Sequence, residues 1–102
     1  MISFEQDFEL YLDQLRKSNR RELVQFWGYK NVKEREVVSK LYFAWLDTCV
    51  IVQLSPETND PTDWINENIN YLWSHQYNFV TQGWYYYFEN ADDAMLFKLR
   101  WG

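Results

Sequence analysis

The chain has 102 residues and a formal net charge of −5, which is enough for one domain and short for two. Hydrophobic residues make up 47% and aromatic residues 21%, which excludes a disordered tail and predicts a packed core. The single cysteine, Cys49, excludes an internal disulfide bond and fits a reducing cytoplasm. The acidic start and the lack of an apolar run of ~18 residues predict neither a secretory signal nor a membrane span.

The first thirty residues predict two short helices. Ser3 followed by Gln6 is a capping-box pattern that places a helix start at Phe4. The apolar stripe of this helix comprises Phe4, Phe8, Tyr11, Leu12 and Leu15. Asn19 with Glu22 repeats the capping pattern ahead of a second stripe. That second stripe, which ends before Gly28, comprises Leu23, Phe26 and Trp27.

Residues 36–54 admit two interpretations. β-Branched and aromatic side chains favour a hairpin of two strands, Val37–Leu46 and Cys49–Leu54, with a tight turn at Asp47-Thr48. The alternative is a helix that leads into one strand, because apolar residues also recur at helical spacing: Val37, Leu41 and Trp45. We predict the hairpin and keep the helix followed by a strand as the alternative.

Pro61 marks the start of the next predicted helix, after a loop at residues 55–59. Asp60 fits the N-cap, and the carboxylate of Asp63 lies where it meets the positive end of the helix dipole. The predicted buried stripe comprises Ile65, Ile69, Leu72 and Trp73. His75-Gln76 ends this helix, where a cationic imidazole gains from the dipole.

The last quarter of the chain predicts a strand and a helix. Tyr77–Phe88 is the strand, interrupted at Gln82-Gly83 by a bend or a bulge. Asn90 caps the last helix and Asp93 lies at its third position. The apolar residues on this helix are Ala94, Met95, Phe97 and Trp101.

These elements predict one α+β domain over residues 1–102, with a helical N-terminal part at 1–30 and a sheet with two packed helices at 36–102. After the N-terminal helices the order is β-β-α-β-α, a two-layer sandwich whose small antiparallel or mixed sheet has its helices on one face. Alternation along the last strand points one of two sets of aromatic rings outward. These sets are Trp84, Tyr86 and Phe88, or Tyr85 and Tyr87 if the register slips by one residue.

Catalytic, metal-binding and cofactor-binding patterns are missing from the sequence. His75 is the only histidine, and Cys49 lies in an apolar run where a thiol is usually a small buried hydrophobe. There is no nucleophile–base pair, metal-ligand spacing or glycine-rich phosphate loop. Asp92-Asp93 imitates a pair of catalytic acids but stands at a predicted helix start, where capping explains it. We therefore predict a protein that is not an enzyme and takes no cofactor or metal.

Two segments resemble the signature strands of the RNA-recognition motif. Residues 41–46, LYFAWL, resemble the first signature strand, and residues 83–94 are similar to the other strand and the helix after it. The resemblance implies that bases stack on Tyr42, Trp84 and Tyr86. Residues 41–102, however, carry eight acidic side chains against two basic ones, which disfavours a nucleic-acid partner. A module that binds single-stranded nucleic acid is therefore one alternative function.

The ending of the chain resembles a second group of proteins. Residues 87–102 read YFExxDxAMxFKLRWG, which resembles the tail of small uncharacterised proteins from tailed bacteriophages. The resemblance implies a viral origin and brings no established activity or site residues.

The aromatic excess, the segregated charge and the missing active site predict a phage accessory protein. It would bind a host protein in the host cytoplasm and inhibit or redirect it, because aromatic and arginine side chains are the usual interface anchors. The predicted contacts are Trp84 and Tyr86 rimmed by Asp92 and Asp93, or the basic stretch around Arg20 and Arg21. The other alternative is a minor virion or assembly component that self-associates through its aromatic faces.

Overall fold

The computed structural model describes residues 4–18, 21–23, 32–54 and 60–101, and these residues form four helices and three strands. The helices are α1 (Phe4–Arg16), α2 (Val32–Asp47), α3 (Thr62–Asn68) and α4 (Ala91–Trp101). The strands are β1 (Val50–Leu54), β2 (Trp73–Asn78) and β3 (Gly83–Phe88). The predicted α+β class is confirmed. Each helix in these residues is too short or too polar to cross a membrane.

Helix α1 is confirmed and turns Phe8 and Leu12 into the core, while its predicted cap at Ser3 lies outside the described residues. The second predicted helix is wrong where it can be examined, because Glu22 pairs with Trp73 in a parallel bridge. The Leu23 amide donates to the Trp73 carbonyl at 2.8 Å, and the Trp73 amide donates to the Arg21 carbonyl at 3.1 Å. The rest of that prediction, including Asn19 and residues 26–28, lies outside the described residues.

The predicted hairpin at residues 37–54 is wrong, and the alternative of a helix followed by a strand is correct. Helix α2 runs to Asp47, and β1 begins three residues later at Val50. The helix ends where the Thr48 amide donates to the Trp45 carbonyl at 3.0 Å. Helical spacing places Tyr42 and Trp45 together in the core beside α1. In a strand these two residues would lie on opposite faces, because side chains alternate between the faces.

The sheet has the order β1-β3-β2, and both pairings are antiparallel. Residues 77–88, predicted as one strand, therefore span the end of β2, a turn and β3, and belong to the β2–β3 hairpin. Its turn is closed by the Asn78 side-chain oxygen, which accepts from the amides of Val80 at 2.9 Å and Thr81 at 3.1 Å. Gly83 is the first residue of β3. Glycine fits this position because a Cβ here would lie 3.0 Å from the Leu54 carbonyl oxygen.

Helix α3 is shorter than predicted. It ends at Asn68, because Ile69 adopts an extended backbone, so the last residues of the predicted stripe lie beyond the helix. Their burial is nevertheless confirmed, since Ile65, Ile69, Leu72 and Trp73 are all buried. His75 lies inside β2, so its predicted place at a helix end is wrong.

Helices pack on both faces of the sheet, which corrects the expected arrangement on one face. The first core cluster, on the side of α3 and α4, comprises Val52, Leu54, Ile65, Ile69, Trp73, Tyr86, Phe88, Ala94 and Phe97. The second, on the side of α1 and α2, comprises Phe8, Leu12, Leu23, Tyr42, Trp45, Leu46 and Leu72. Buried hydrogen bonds join α2 to the sheet. The Ser74 hydroxyl of β2 donates to the Leu23 carbonyl at 2.7 Å and lies 2.6 Å from the Tyr42 hydroxyl of α2.

Candidate interaction surface at the hairpin end

Helix α4 covers only part of the sheet face that it packs against. The Phe97 ring lies 4.9 Å from the Phe88 ring and 5.1 Å from the Tyr86 ring, measured between centroids. Trp84 lies on the same face of β3, nearer the hairpin turn, and is 36% exposed. The face of β3 therefore passes from core to surface within five residues.

Four apolar side chains gather at this uncovered end. They are Tyr77, Phe79, Val80 and Trp84, which we call the hairpin patch. The Tyr77 ring packs edge-on against Phe79 at 5.0 Å and against Trp84 at 5.3 Å. Phe79 is 82% exposed and Val80 93% exposed, on a turn where polar residues and glycine are the usual occupants. The turn therefore presents apolar surface to solvent at the tip of the β2–β3 hairpin.

His75 forms the base of the hairpin patch. Its imidazole ring lies beside the Trp73 and Tyr86 rings and nearly parallel to both, with centroid distances of 5.6 Å to each, and lies 5.1 Å from the Trp84 ring. Its Nδ1 atom lies 2.8 Å from Oε1 of Glu22, an ion pair whenever the imidazole is protonated. These contacts hold the ring in place and supply no nucleophile for it to activate.

The groups that most resemble nucleophiles are held in their protonated forms. Burial, followed by the negative charges of Asp60 and Glu22, raises the pKa of Tyr86 to about 12. Burial also raises the pKa of Cys49 to about 12, and its thiol donates to the Trp45 carbonyl at 3.3 Å. Among the described residues, no group of three or more His, Cys, Asp and Glu side chains could hold a metal ion.

The two predicted acidic contacts have different environments. Asp92 is exposed in the first turn of α4, whereas Asp93 is buried and accepts hydrogen bonds from the amides of Tyr71 at 3.0 Å and Asn70 at 3.3 Å. Asn90 caps the helix as predicted, since its side-chain oxygen accepts from the Asp93 amide at 3.1 Å. Burial raises the pKa of Asp93, and the two amide bonds oppose that rise. Asp93 therefore joins α4 to the loop before β2 and is not on the surface.

The structure describes one of the two predicted basic contacts. Arg20 lies outside the described residues. The Arg21 guanidinium donates to the backbone carbonyls of Ser18, at 3.0 Å, and Ile69. Arg21 thus fixes the backbone on either side of the parallel bridge and is half-buried.

The three stacking candidates do not share one open face. Residues 41–46 belong to helix α2, where Tyr42 is buried against Ser74. Tyr86 is buried under α4, because its side chain lies on the face of β3 that packs against this helix. Trp84 alone of the three reaches the surface, and it does so as part of the hairpin patch.

Sequence reasoning missed Tyr77, Phe79 and Val80 as surface residues. A signal was present, because Asn78 followed five residues later by Gly83 brackets a turn between two aromatic segments. Apolar side chains inside such a turn have no neighbouring strand to bury them. They are therefore exposed unless another element covers the turn.

Fold and surface together define a small α+β protein with an exposed aromatic hairpin end and no catalytic constellation in its described residues. No family model, curated protein or solved structure matches the chain.

Proposed function

We propose that the protein is a non-enzymatic phage accessory protein that binds a host protein in the host cytoplasm and inhibits or redirects it. The observation that carries the proposal is the hairpin patch, with Phe79 and Val80 almost fully exposed beside Trp84. The viral origin rests on the resemblance of residues 87–102 to the ending of small phage proteins.

Exposed apolar groups at a turn have a physical cost that binding removes. Burial of apolar surface contributes about 25 cal/mol per Å², and Trp, Tyr and Phe are typical anchors at the centre of interfaces. The rings of Tyr77 and Trp84 are held against neighbouring rings before any partner arrives. Little side-chain entropy is then lost on binding, which favours these residues as anchors.

The acidic charge of residues 41–97 indicates the chemistry of the partner. Residues 41–97 contain eight acidic side chains and no Lys or Arg. Asp60 is exposed, and after burial its negative charge is the next cause that raises the pKa of Tyr86, whose ring lies beside His75 at the base of the hairpin patch. The complementary surface is therefore an apolar site bordered by Lys and Arg, as in the nucleic-acid-binding groove of a host protein. An acidic protein that occupies such a groove places its carboxylates where the phosphate groups of the nucleic acid would bind.

The proposal is tested with the double variant Phe79→Ser/Val80→Ser as bait in host lysate. Wild type should retain a host protein that the double variant loses. The matched control is Phe43→Ser, which removes an exposed phenylalanine from α2 and should retain the same protein.

The captured protein is then purified and titrated at two salt concentrations. We expect its affinity for the double variant to fall at least about tenfold, or 1.4 kcal/mol. We also expect wild-type binding to weaken with salt, since charge complementarity contributes. Equal affinity for wild type and the double variant would rule out the hairpin patch as the binding site.

A further inference from the structure

Helix α4 has a second apolar face, directed away from the sheet. Its inner side buries Ala94 and Phe97, whereas Met95 is 63% and Leu99 81% exposed. Leu96, also exposed, lies on the same outer face, because residues three and four apart are neighbours on a helix. We call Met95, Leu96 and Leu99 the outer stripe. It is separate from the hairpin patch and takes no part in the function proposed above.

Charged side chains of opposite sign stand at the two ends of the outer stripe. Asp92 lies at the N-terminal end of the outer stripe. It is on the same helix face as Leu99, since the two residues are seven positions, or about two turns, apart. Lys98 and Arg100 flank its far end, one on each side of Leu99. All three charged side chains are exposed. Arg100 also lies over the Trp101 ring, 4.7 Å from the centroid, which limits its range of positions.

We propose that the outer stripe is the docking surface for a second copy of this chain. The two α4 helices would pack antiparallel about a twofold axis, so that each presents the same face to the other. In that register Leu96 lies opposite Met95 of the second copy. Asp92 then lies level with Leu99 of the second copy, between its Lys98 and its Arg100.

Charge selects this occupant and this orientation. Antiparallel packing forms both acid–base contacts at once, whereas parallel packing places like charges together at each end. It also aligns the negative end of each helix dipole with the positive end of the other.

The dimer should be weak. Three apolar side chains per copy bury much less than the roughly 1,600 Å² of a standard interface, so association belongs to the transient class. We expect a dissociation constant of about 10⁻⁴ M. The dimer would therefore form where local concentration is high, as at a site of assembly.

Sedimentation equilibrium of the full chain from about 10 µM to about 1 mM tests the proposal. The mean mass of wild type should rise with concentration. Asp92→Lys alone, and Lys98→Glu/Arg100→Glu alone, should each stay monomeric, because like charges then meet across the axis. An equimolar mixture of the two variants should form a heterodimer, because one charge contact then has its native sense, the other has the reversed sense, and both are attractive.

Asp63→Lys is the matched control, since it makes the same charge change in the first turn of α3, and it should dimerise as wild type does. Circular dichroism checks that each variant is folded. The mixing experiment separates a fold defect from a lost interface, because a misfolded chain is not restored by its counterpart. A wild-type mass that stays at one chain up to 1 mM, unchanged dimerisation of either variant, or a mixture that remains monomeric would each overturn the proposal.

Discussion

The two ends of strand β3 differ more than its uniform aromatic sequence suggests. Phe88 is fully buried and Tyr86 nearly so, while Trp84, on the same face of the same strand, is more than one-third exposed. The difference arises because the Phe97 ring of α4 reaches Phe88 and Tyr86, whereas the ring neighbours of Trp84 are His75 and Tyr77. Alternation along a strand thus determines which face a residue occupies, and the extent of the covering helix determines where the core ends.

Phe88→Ala should show the largest effect. Truncation of a fully buried phenylalanine loses its transfer free energy and leaves a cavity, so we expect a loss of about 3–5 kcal/mol in the free energy of unfolding. Trp84→Ala, at the other end of the same face, should cost about 1–2 kcal/mol, because part of its ring surface is already in water. Urea denaturation measures both. Equal losses would contradict the contrast between the two ends.

Tyr86 should make stability depend on pH in the alkaline range. Its folded pKa of about 12 lies above the ordinary tyrosine value of 10.0, so the folded state holds a proton that the unfolded state releases. The associated stability is complete below pH 10 and is lost as pH rises from 10 to 12, by up to about 2–3 kcal/mol.

The matched variant is Tyr86→Phe, which removes the titrating hydroxyl and keeps the ring. Its unfolding free energy should fall less between pH 9 and pH 11 than that of wild type. Tyr11, Tyr42 and Tyr87 also have raised pKa values and contribute to the slope that remains. Identical pH profiles for wild type and Tyr86→Phe would argue against the burial of Tyr86.

The neighbouring acids at the start of α4 provide a third contrast. Asp93→Ala removes the acceptor of the Asn70 and Tyr71 amides, and we expect a loss of about 1–3 kcal/mol. Asp92→Ala removes an exposed charge from the first helical turn and should cost less than about 1 kcal/mol. Thermal or urea unfolding of the two single variants should therefore rank them in that order. A larger loss for Asp92→Ala would be inconsistent with the buried position of Asp93.

The hairpin patch should show the smallest effect on stability. Phe79→Ser/Val80→Ser changes two exposed side chains in a turn, and we expect a shift within about 0.5 kcal/mol in the free energy of unfolding. The same variant should lose its binding partner. A large loss of stability would mean that Phe79 or Val80 is buried in the folded chain beyond the edge contact of Phe79 with Tyr77, and does not serve as free surface.

Local signals made much of the fold predictable. The apolar stripe of α1, the cap at Asn90 and the burial of Ile65 and Ile69 follow from short-range spacing and hydrogen bonding, which sequence displays directly. The strand predicted at residues 37–46 is wrong because the apolar positions there fit both the helical and the strand period. Packing of α2 against α1 decides between them, and that contact is not local.

The candidate surface was predictable only in part. Trp84 follows from alternation along β3, but the same alternation cannot reveal that α4 covers Tyr86. The sequence predicts Asp93 as an interface residue, because a charged residue in the first turn of a helix is usually exposed, whereas here the loop before β2 lies on it. The helix predicted to end at His75-Gln76 ends at Asn68, so His75 lies inside β2.

Site-specific photo-crosslinking inside the host cell tests the central claim most directly. A benzoyl-phenylalanine at position 79 should form an adduct with one host protein, whereas the same residue at position 43, also exposed, should not. Both substitutions replace phenylalanine and leave the net charge unchanged. Adducts of equal yield from the two positions, or none from position 79, would contradict the assignment of the hairpin patch as the binding surface.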